Sequence, residues 1–337
     1  MSPLRAVLVG AGGMGRAWAG AIANNPDVSL VGWVDLFTGR VVEGIEASGY
    51  ADVAVEESIE PALAKLSPDF VVDVAVPEAH HDITRRCLER GVPVLGEKPM
   101  AANLAEARDL VQLSERTSTL FVVSQNRRYN EGLAAFKGLV EQSLGGLGQL
   151  NAEFYRAPHF GGFRDEMDSP LLVDMAIHTF DAARFIAGTV PVSVQCTEFN
   201  PPWSWYRGAA SAVAEFEFED GIHFSYEGSW CAGGLQTSWE SSWRAIGGLG
   251  TAVWDGSKNP VAEVHKPGTN DGERETVEAA PVTISGPGIA GSLADFVGAL
   301  RSGEVPMNEC HDNIKSFAMV MAALESSRSG RRVAVEA

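Results

Sequence analysis

Six residues near the start of the chain, Gly10-Ala-Gly12-Gly-Met-Gly15, constrain the fold more than any others. Glycine is abundant here, so the G-x-G-x-x-G spacing alone says little; its setting says more. An apolar run, Ala6–Val9, precedes it, and a helical pattern, Met14–Asn24, follows. In such a strand–turn–helix unit the first glycine permits a tight turn and the second lets backbone approach a pyrophosphate. The third lets the helix pack closely on the strand. Free N–H groups and the positive end of the helix dipole then face the phosphates. Asp35 lies 20 residues beyond Gly15, after the apolar run Leu30–Val34. A carboxylate there accepts hydrogen bonds from both ribose hydroxyls of an adenosine and repels a 2′-phosphate, which favours NAD over NADP. Leu36 and Phe37 supply no cation, and Arg40 is the only nearby candidate to receive such a phosphate. The competing reading is a glycine-rich turn in some other α/β fold.

Short apolar runs and helical patterns alternate through residues 1–124. Ala6–Val9, Leu30–Val34, Phe70–Val76, Val92–Leu95 and Leu120–Val123 read as buried strands. Met14–Asn24, Ile59–Leu66, His80–Arg90 and Leu104–Glu115 read as helices. Strict alternation implies a parallel sheet with right-handed crossovers. Asn25-Pro26 and Gly91 are the expected stops of two of these helices.

The pattern changes after about Tyr129. Gln149–Tyr155, Val192–Phe199, Ala210–Glu219, Ile222–Gly228, Ser242–Ile246 and Ala252–Trp254 are strand candidates, and Asp220-Gly221 signals a two-residue hairpin. A mostly antiparallel sheet with helices on one face is expected over residues 125–337, forming a second domain. Ile289–Arg301 and Asp312–Ser326 read as closing helices, free to pack back on the first domain. Lys258–Glu278 is the most loop-like stretch.

Composition excludes several function classes. A formal charge of −18 repels nucleic acid and anionic membrane. Cys87, Cys196, Cys231 and Cys310 are far apart, which suits a reducing compartment and no zinc ribbon. No run approaches the roughly 18 apolar residues of a membrane span. A cytoplasmic protein is expected.

Two further motifs carry chemistry. Val92–Leu95 leads into Gly96-Glu97-Lys98-Pro99, where ligands of parallel sheets sit. Pro99 biases Lys98 toward extended geometry, and its ammonium there can stabilise oxygen charge as hydride leaves carbon. The bland reading is a solvated loop lysine. Farther on, Ser169 and Pro170 read as the cap and first turn of a helix that stops at Gly188. Asp174, His178 and Asp181 recur at i, i+4 and i+7, which places all three on one stripe of a regular helix. Facing a polar pocket, Asp174 would orient His178 for proton transfer. A surface helix with ordinary acidic residues is one alternative. A metal site is another, with His159 the only nearby third ligand; no metal is expected.

Taken together and in this order, these motifs resemble the glucose–fructose oxidoreductase / inositol dehydrogenase / MocA family. Pro77-Glu-Ala-His80 and Asn126-Arg127-Arg128-Tyr129 add to the likeness, which spans nearly the whole chain. The resemblance implies a Rossmann domain followed by an α/β domain with a large open, mainly antiparallel sheet, and homodimers or homotetramers formed through that sheet. It implies catalytic roles for Lys98, Asp174 and His178. It also implies cofactor contacts from Gly10, Gly12, Gly13, Met14, Gly15, Asp35, Val76, Pro77, His80, Glu97, Lys98 and Gln125. Substrate contacts are implied for Lys98, Arg127, His159, Arg164, Asp174, His178 and Asp181. The chain departs from the commonest family pattern at Ser124-Gln125. NAD-dependent interconversion of a secondary alcohol and a ketone on a sugar, cyclitol or polyol is the expected activity. The alternatives are an NADPH-preferring ketosugar reductase and a non-catalytic cofactor-sensing regulator. Trp203, Trp205, Tyr206, Trp230, Trp239 and Trp243 are expected mostly in core or interface, with one or two at substrate.

Overall fold

A computed structural model describes residues 2–266 and 272–337. The chain divides into two compact units. The first comprises Met1–Tyr129 and Ser285–Ile314, the second Asn130–Ile284 and Lys315–Ala337.

The first unit is built on a six-stranded parallel sheet. Its strands are β1 (Leu4–Val9), β2 (Val28–Val34), β3 (Ala54–Glu56), β4 (Phe70–Asp73), β5 (Val94–Glu97) and β6 (Phe121–Ser124). They lie in the order β3-β2-β1-β4-β5-β6. The crossover helices are α1 (Gly13–Ala23), α2 (Thr38–Ser48), α3 (Ile59–Leu66), α4 (Pro77–Leu88) and α5 (Leu104–Thr117). Val- and Leu-rich strands with no polar alternation are what a sheet covered on both faces requires. Ala6, Leu8, Phe70, Val72, Leu95 and Val122 are accordingly buried. A further helix, α8 (Gly288–Ser302), brings Leu293, Phe296 and Val297 into this same core. Phe296 meets Phe70 edge-on at 5.3 Å.

Two elements of this unit have little sequence signal. β3 is only three residues long, and α2 buries only Val41 and Gly44. The run Phe70–Val76 stops being strand at Asp73, because the Asp73 carboxylate accepts the Ala75 N–H and turns the chain.

The second unit carries a nine-stranded sheet. Its strands are β7 (Leu147–Tyr155), β8 (Pro191–Phe199), β9 (Ser211–Phe218), β10 (His223–Ser229), β11 (Ser242–Gly247), β12 (Gly250–Trp254), β13 (Val261–His265), β14 (Arg274–Glu278) and β15 (Val333–Ala334). The order is β14-β13-β12-β11-β7-β10-β9-β8-β15. Every pairing is antiparallel except that of β7 with β10. Strands β13 and β14 correct the expectation of a loop over Lys258–Glu278: Val261, Ala262 and Val264 alternate enough to pair across a hairpin. Residues 267–271 of that stretch lie outside the described residues. The turn at Asp220-Gly221 has both residues at positive φ, 63° and 71°. It is one residue longer than the predicted pair, since Glu219 joins it and Phe218 N–H donates to Ile222 O.

Helices α6 (Glu131–Ser143), α7 (Ile177–Ala187) and α9 (Cys310–Ser329) complete the described helices. In α6, Asn130 caps the helix by accepting the Leu133 N–H, and Phe136 stacks on Trp254. From α7, Phe180 meets Phe216 and Tyr226 edge-on at 4.7 and 5.2 Å.

Because Phe180 is fully enclosed by these rings, truncation leaves a cavity that its neighbours cannot fill. Phe180→Ala is expected to lower stability by roughly 3–5 kcal/mol. Urea unfolding of the two chains measures the difference; a loss under about 1 kcal/mol would mean that the packing is not as described.

Candidate active site

The glycine loop is shaped by close backbone approaches. Gly10 holds φ at +100°, and a Cβ there would sit 2.5 Å from the Val74 carbonyl oxygen at the end of β4. A Cβ on Gly15 would sit 2.1 Å from the Gly10 oxygen, which itself accepts a hydrogen bond from the Trp33 indole at 2.9 Å. Gly12 and Gly13 differ: a Cβ on either meets nothing within 4 Å. The open side of the loop therefore lies at Gly12–Gly13, where α1 begins. This fits a dinucleotide, whose pyrophosphate needs close backbone and free helix N–H groups. Met14 is exposed beside it.

Asp35 follows β2. Its two oxygens accept the Ala11 and Phe37 N–H groups at 2.7 and 2.8 Å, so it also fixes the loop. A carboxylate has about four acceptor positions, which leaves capacity for ribose hydroxyls. Arg40 lies over the Phe37 ring.

The row of strand ends continues outward from β1 to β4, β5 and β6. Val76 and Pro77 follow β4 and begin α4, with Val76 exposed. Lys98 follows β5 and is half-buried; its bond to Pro99 is cis. Adjacent strands lie about 5 Å apart, so Lys98 stands roughly 10 Å along the row from the glycine loop. Gln125 follows β6, and both ends of its buried amide lack a partner among the described residues.

Beneath this row lies a buried charged set, of which sequence reading singles out His80 and Glu97 but not Asp73. His80 is 2% exposed, and its Nδ1 is 3.0 Å from the Asp73 carboxylate, which is wholly buried. Burial alone would lower the imidazole, but Asp73, with Glu97 and Glu78, carries it above its ordinary 6.5. Glu97 accepts the Trp18 indole N–H at 2.8 Å and the Lys98 backbone N–H at 3.2 Å. Burial pushes its carboxyl up, an effect tempered by Trp18 and Lys98. His80 and Glu97 thus stand in the interior, where they support the strand ends rather than line an open surface.

In the second unit the expected helix is not uniform. Leu171–Ala176 is π-helical and passes into α7 at Ile177. Ser169 does not cap it; its hydroxyl donates to Glu198 instead. Gly188 ends α7 at φ +67°, as expected. A π turn holds an extra residue, which shifts Asp174 in phase relative to His178 and Asp181, both of which lie in the regular helix α7. Asp174 Oδ2 accepts from Arg164 Nε at 2.6 Å. Asp181 is turned elsewhere, its Oδ1 accepting from Ser316 of α9 at 2.6 Å, with Arg184 donating to the same hydroxyl at 2.7 Å. Asp181, expected at a substrate pocket, is buried here and joins α7 to α9 through that oxygen. His178 is buried near Asp174 in sequence and 6% exposed. His159 is exposed and stacks on Trp205 at 3.7 Å, and Arg127 is half-buried in the short turn Asn126–Arg128.

These features define a two-unit α/β protein with a dinucleotide-type sheet. Residues 4–125 match the model of an oxidoreductase family's NAD-binding Rossmann fold. Residues 154–335 match the model of the same family's C-terminal α/β domain. The chain belongs to the glucose–fructose oxidoreductase / inositol dehydrogenase / MocA oxidoreductase family, as its motifs suggest, and is an NAD(P)-dependent dehydrogenase by class. It is similar to an inositol 2-dehydrogenase of Rhizobium meliloti, 26% identical over 97% of this chain and 98% of that one. It is also similar to a D-apiose dehydrogenase of Paraburkholderia graminis, 25% identical over 90% and 85%. Among solved structures it resembles an oxidoreductase from Agrobacterium radiobacter in complex with NAD+, L-tartaric acid and magnesium. That likeness concerns the fold: TM-score 0.87, 22% identity, 99% of each chain. No helix among the described residues is long and apolar enough to cross a membrane.

The glycines separate two effects. Gly12→Val fills open space, so it should leave thermal stability unchanged and abolish NAD binding in a calorimetric titration. Gly15→Ala collides with backbone and should destabilise the fold itself. Equal effects of both substitutions on stability would contradict the loop geometry.

The Asp73–His80 pair predicts a pH dependence. Because the folded imidazole pKa is raised, its stabilisation is fully present below pH 6.5 and fades as pH climbs through the folded value. In urea unfolding, wild type should exceed His80→Gln by more at about pH 6 than at about pH 9. A gap that widens with pH would show His80 to be neutral in the fold.

Proposed function

We propose that this chain catalyses reversible, NAD-linked oxidation of a secondary alcohol on a sugar, cyclitol or related polyol. The observation that carries the reading is Lys98 at the carboxyl end of β5, in the row of strand ends that begins with the glycine loop. Gly10, Gly12, Gly13, Met14 and Gly15 hold the pyrophosphate, and Asp35 holds the adenosine ribose. Val76, Pro77 and Gln125 meet the nicotinamide half, with the Gln125 amide offering one donor and one acceptor. His80 and Glu97 act from below by fixing the strand ends. The anionic Asp35 favours NAD over NADP. When bound, the dinucleotide supplies the hydride acceptor.

The chain's own groups handle the proton. As hydride leaves the carbinol carbon, charge grows on its oxygen, and the Lys98 ammonium stabilises it. His178 takes the hydroxyl proton and returns it in the reverse direction, with Asp174 orienting the imidazole. Arg127, His159 and Arg164 complete the substrate contacts, while Asp181 acts through α9. The relatives named inositol 2-dehydrogenase and D-apiose dehydrogenase support a polyol substrate. Cofactor binding is assigned to the first unit, and substrate binding and oligomerisation to the second. The open sheet face, with Val192 and Val213 exposed, suits a homodimer or homotetramer. A cytoplasmic setting accords with four unpaired cysteines.

The test is near-ultraviolet absorbance of reduced nicotinamide with NAD, and separately NADP, across a panel of sugars, inositols and sugar acids. Turnover with NAD should exceed that with NADP. Lys98→Ala and His178→Ala should each lower kcat roughly 100- to 10,000-fold with the substrate so found. Near-wild-type turnover in both variants would remove these residues from the chemistry. Dinucleotide binding without hydride transfer in either direction would favour a sensor.

A further inference from the structure

The loop after β7 carries a cluster whose chemistry goes beyond that reading. Phe160 lies against Trp239 at 6.2 Å and 20°, and meets Trp230 edge-on. Tyr206 stacks on Trp230 at 5.5 Å, and its hydroxyl donates to the Pro158 carbonyl. The loop is thereby seated on an aromatic platform, and the platform presents Arg164. The guanidinium carbon lies 4.7 Å from the Phe163 ring centroid and 5.6 Å from that of Phe160. Both rings are exposed, 61% and 58%.

Arg164 spends one N–H on Asp174, through Nε at 2.6 Å. Its two Nη nitrogens have no acceptor among the described residues, and the side chain is 29% exposed. A guanidinium has five N–H groups in one plane. The four remaining therefore form an open fork, flanked by two rings and anchored to a residue of the proposed active site. Planar forks of this kind bind carboxylate and phosphoryl groups through two parallel hydrogen bonds. The neighbouring rings add cation–π attraction that helps to hold the guanidinium in place. Neutral polyols would leave such a fork poorly used.

We propose that Arg164 is an anion receptor, and that the natural substrate is a polyol bearing a carboxylate or phosphoryl group. This rests on the proposed function, because it takes Asp174 to stand beside the reacting carbinol. A purely structural Arg164, present only to hold Asp174, would treat charged and neutral substrates alike.

That difference sets the experiment. Matched sets sharing one ring are compared as neutral sugar, uronic acid and phosphate monoester, in wild type, Arg164→Gln and Arg164→Lys. Wild type should prefer an anionic member in kcat/KM, and the better of the two identifies the group. Arg164→Gln should lower kcat/KM for that member roughly 10- to 100-fold more than for the neutral sugar, mainly through KM. Arg164→Lys, which keeps the charge but loses the fork, should fall between. Damage to Asp174 alone would lower all members equally, so the ratio isolates anion reading. Tryptophan fluorescence titration of the same ligands, without turnover, should show anion binding weakened by Arg164→Gln. An equal loss across the set, or no anionic preference in wild type, overturns the proposal. If no member is turned over, the proposed function fails, and the fluorescence titration still decides whether Arg164 binds the anion.

Discussion

The approach of α1 to the end of β1 is the contact on which the first unit depends. Gly15 can lie against the Gly10 carbonyl only because it has no side chain, and Gly10 can lie against Val74 for the same reason. The Trp33 indole then secures the Gly10 oxygen, and Asp35 secures the Ala11 N–H. With β1, β2 and β4 all gripping the turn, only the Gly12–Gly13 side remains open. The helix N-terminus is thus aimed before any ligand arrives, so little ordering is left for binding to accomplish. The same helix reaches farther along the sheet through Trp18, whose indole holds Glu97 one residue before Lys98. The glycine turn and the lysine are therefore coupled through one helix rather than placed independently.

Charge is buried where this row of strand ends needs rigidity. Asp73, His80 and Glu97 are nearly inaccessible, and isolated charges so placed would be costly. Each has partners: Asp73 takes the Ala75 N–H and pairs with His80, while Glu97 takes the N–H groups of Trp18 and Lys98. Removal of one partner strands the others, which is why such sets resist piecemeal substitution. They fix the turns after β4 and β5, and with them the positions of Val76, Pro77 and Lys98.

The parallel sheet was largely readable because its strands are uninterrupted Val- and Leu-rich runs whose burial on both faces leaves no other use for them. The helix Ile59–Leu66 is found with the bounds its apolar spacing predicts. Elements that bury little were not readable: β3 has three residues and α2 contributes one aliphatic side chain, Val41, to the interior. The hairpin of β13 and β14 was hidden for a related reason. β14 exposes most of its side chains, so its composition resembles a loop while its backbone pairs. Asp73 and Trp18 belong to no sequence motif at all. Their roles arise from contacts with residues 7 and 79 positions away, which no local pattern records.

The helix carrying Asp174 shows how a correct element can still mislead about its faces. Its start near Pro170 and stop at Gly188 follow ordinary helix signals, and a uniform 3.6-residue period would align Asp174, His178 and Asp181. The π-helical opening alters that phase before α7 begins. Asp174 consequently turns to the loop that bears Arg164, whereas Asp181 turns to Ser316 and Arg184 on the side of α9. Two carboxylates that a regular helix would set two turns apart on one stripe thus turn to different neighbours, each with a cation nearby. Asp181 anchors the helix to the body of its unit, and Asp174 is left at the border of a loop that combines exposed rings with the Arg164 guanidinium. A wide helical turn, rather than any single residue type, sets Asp174 apart in phase from His178 and Asp181.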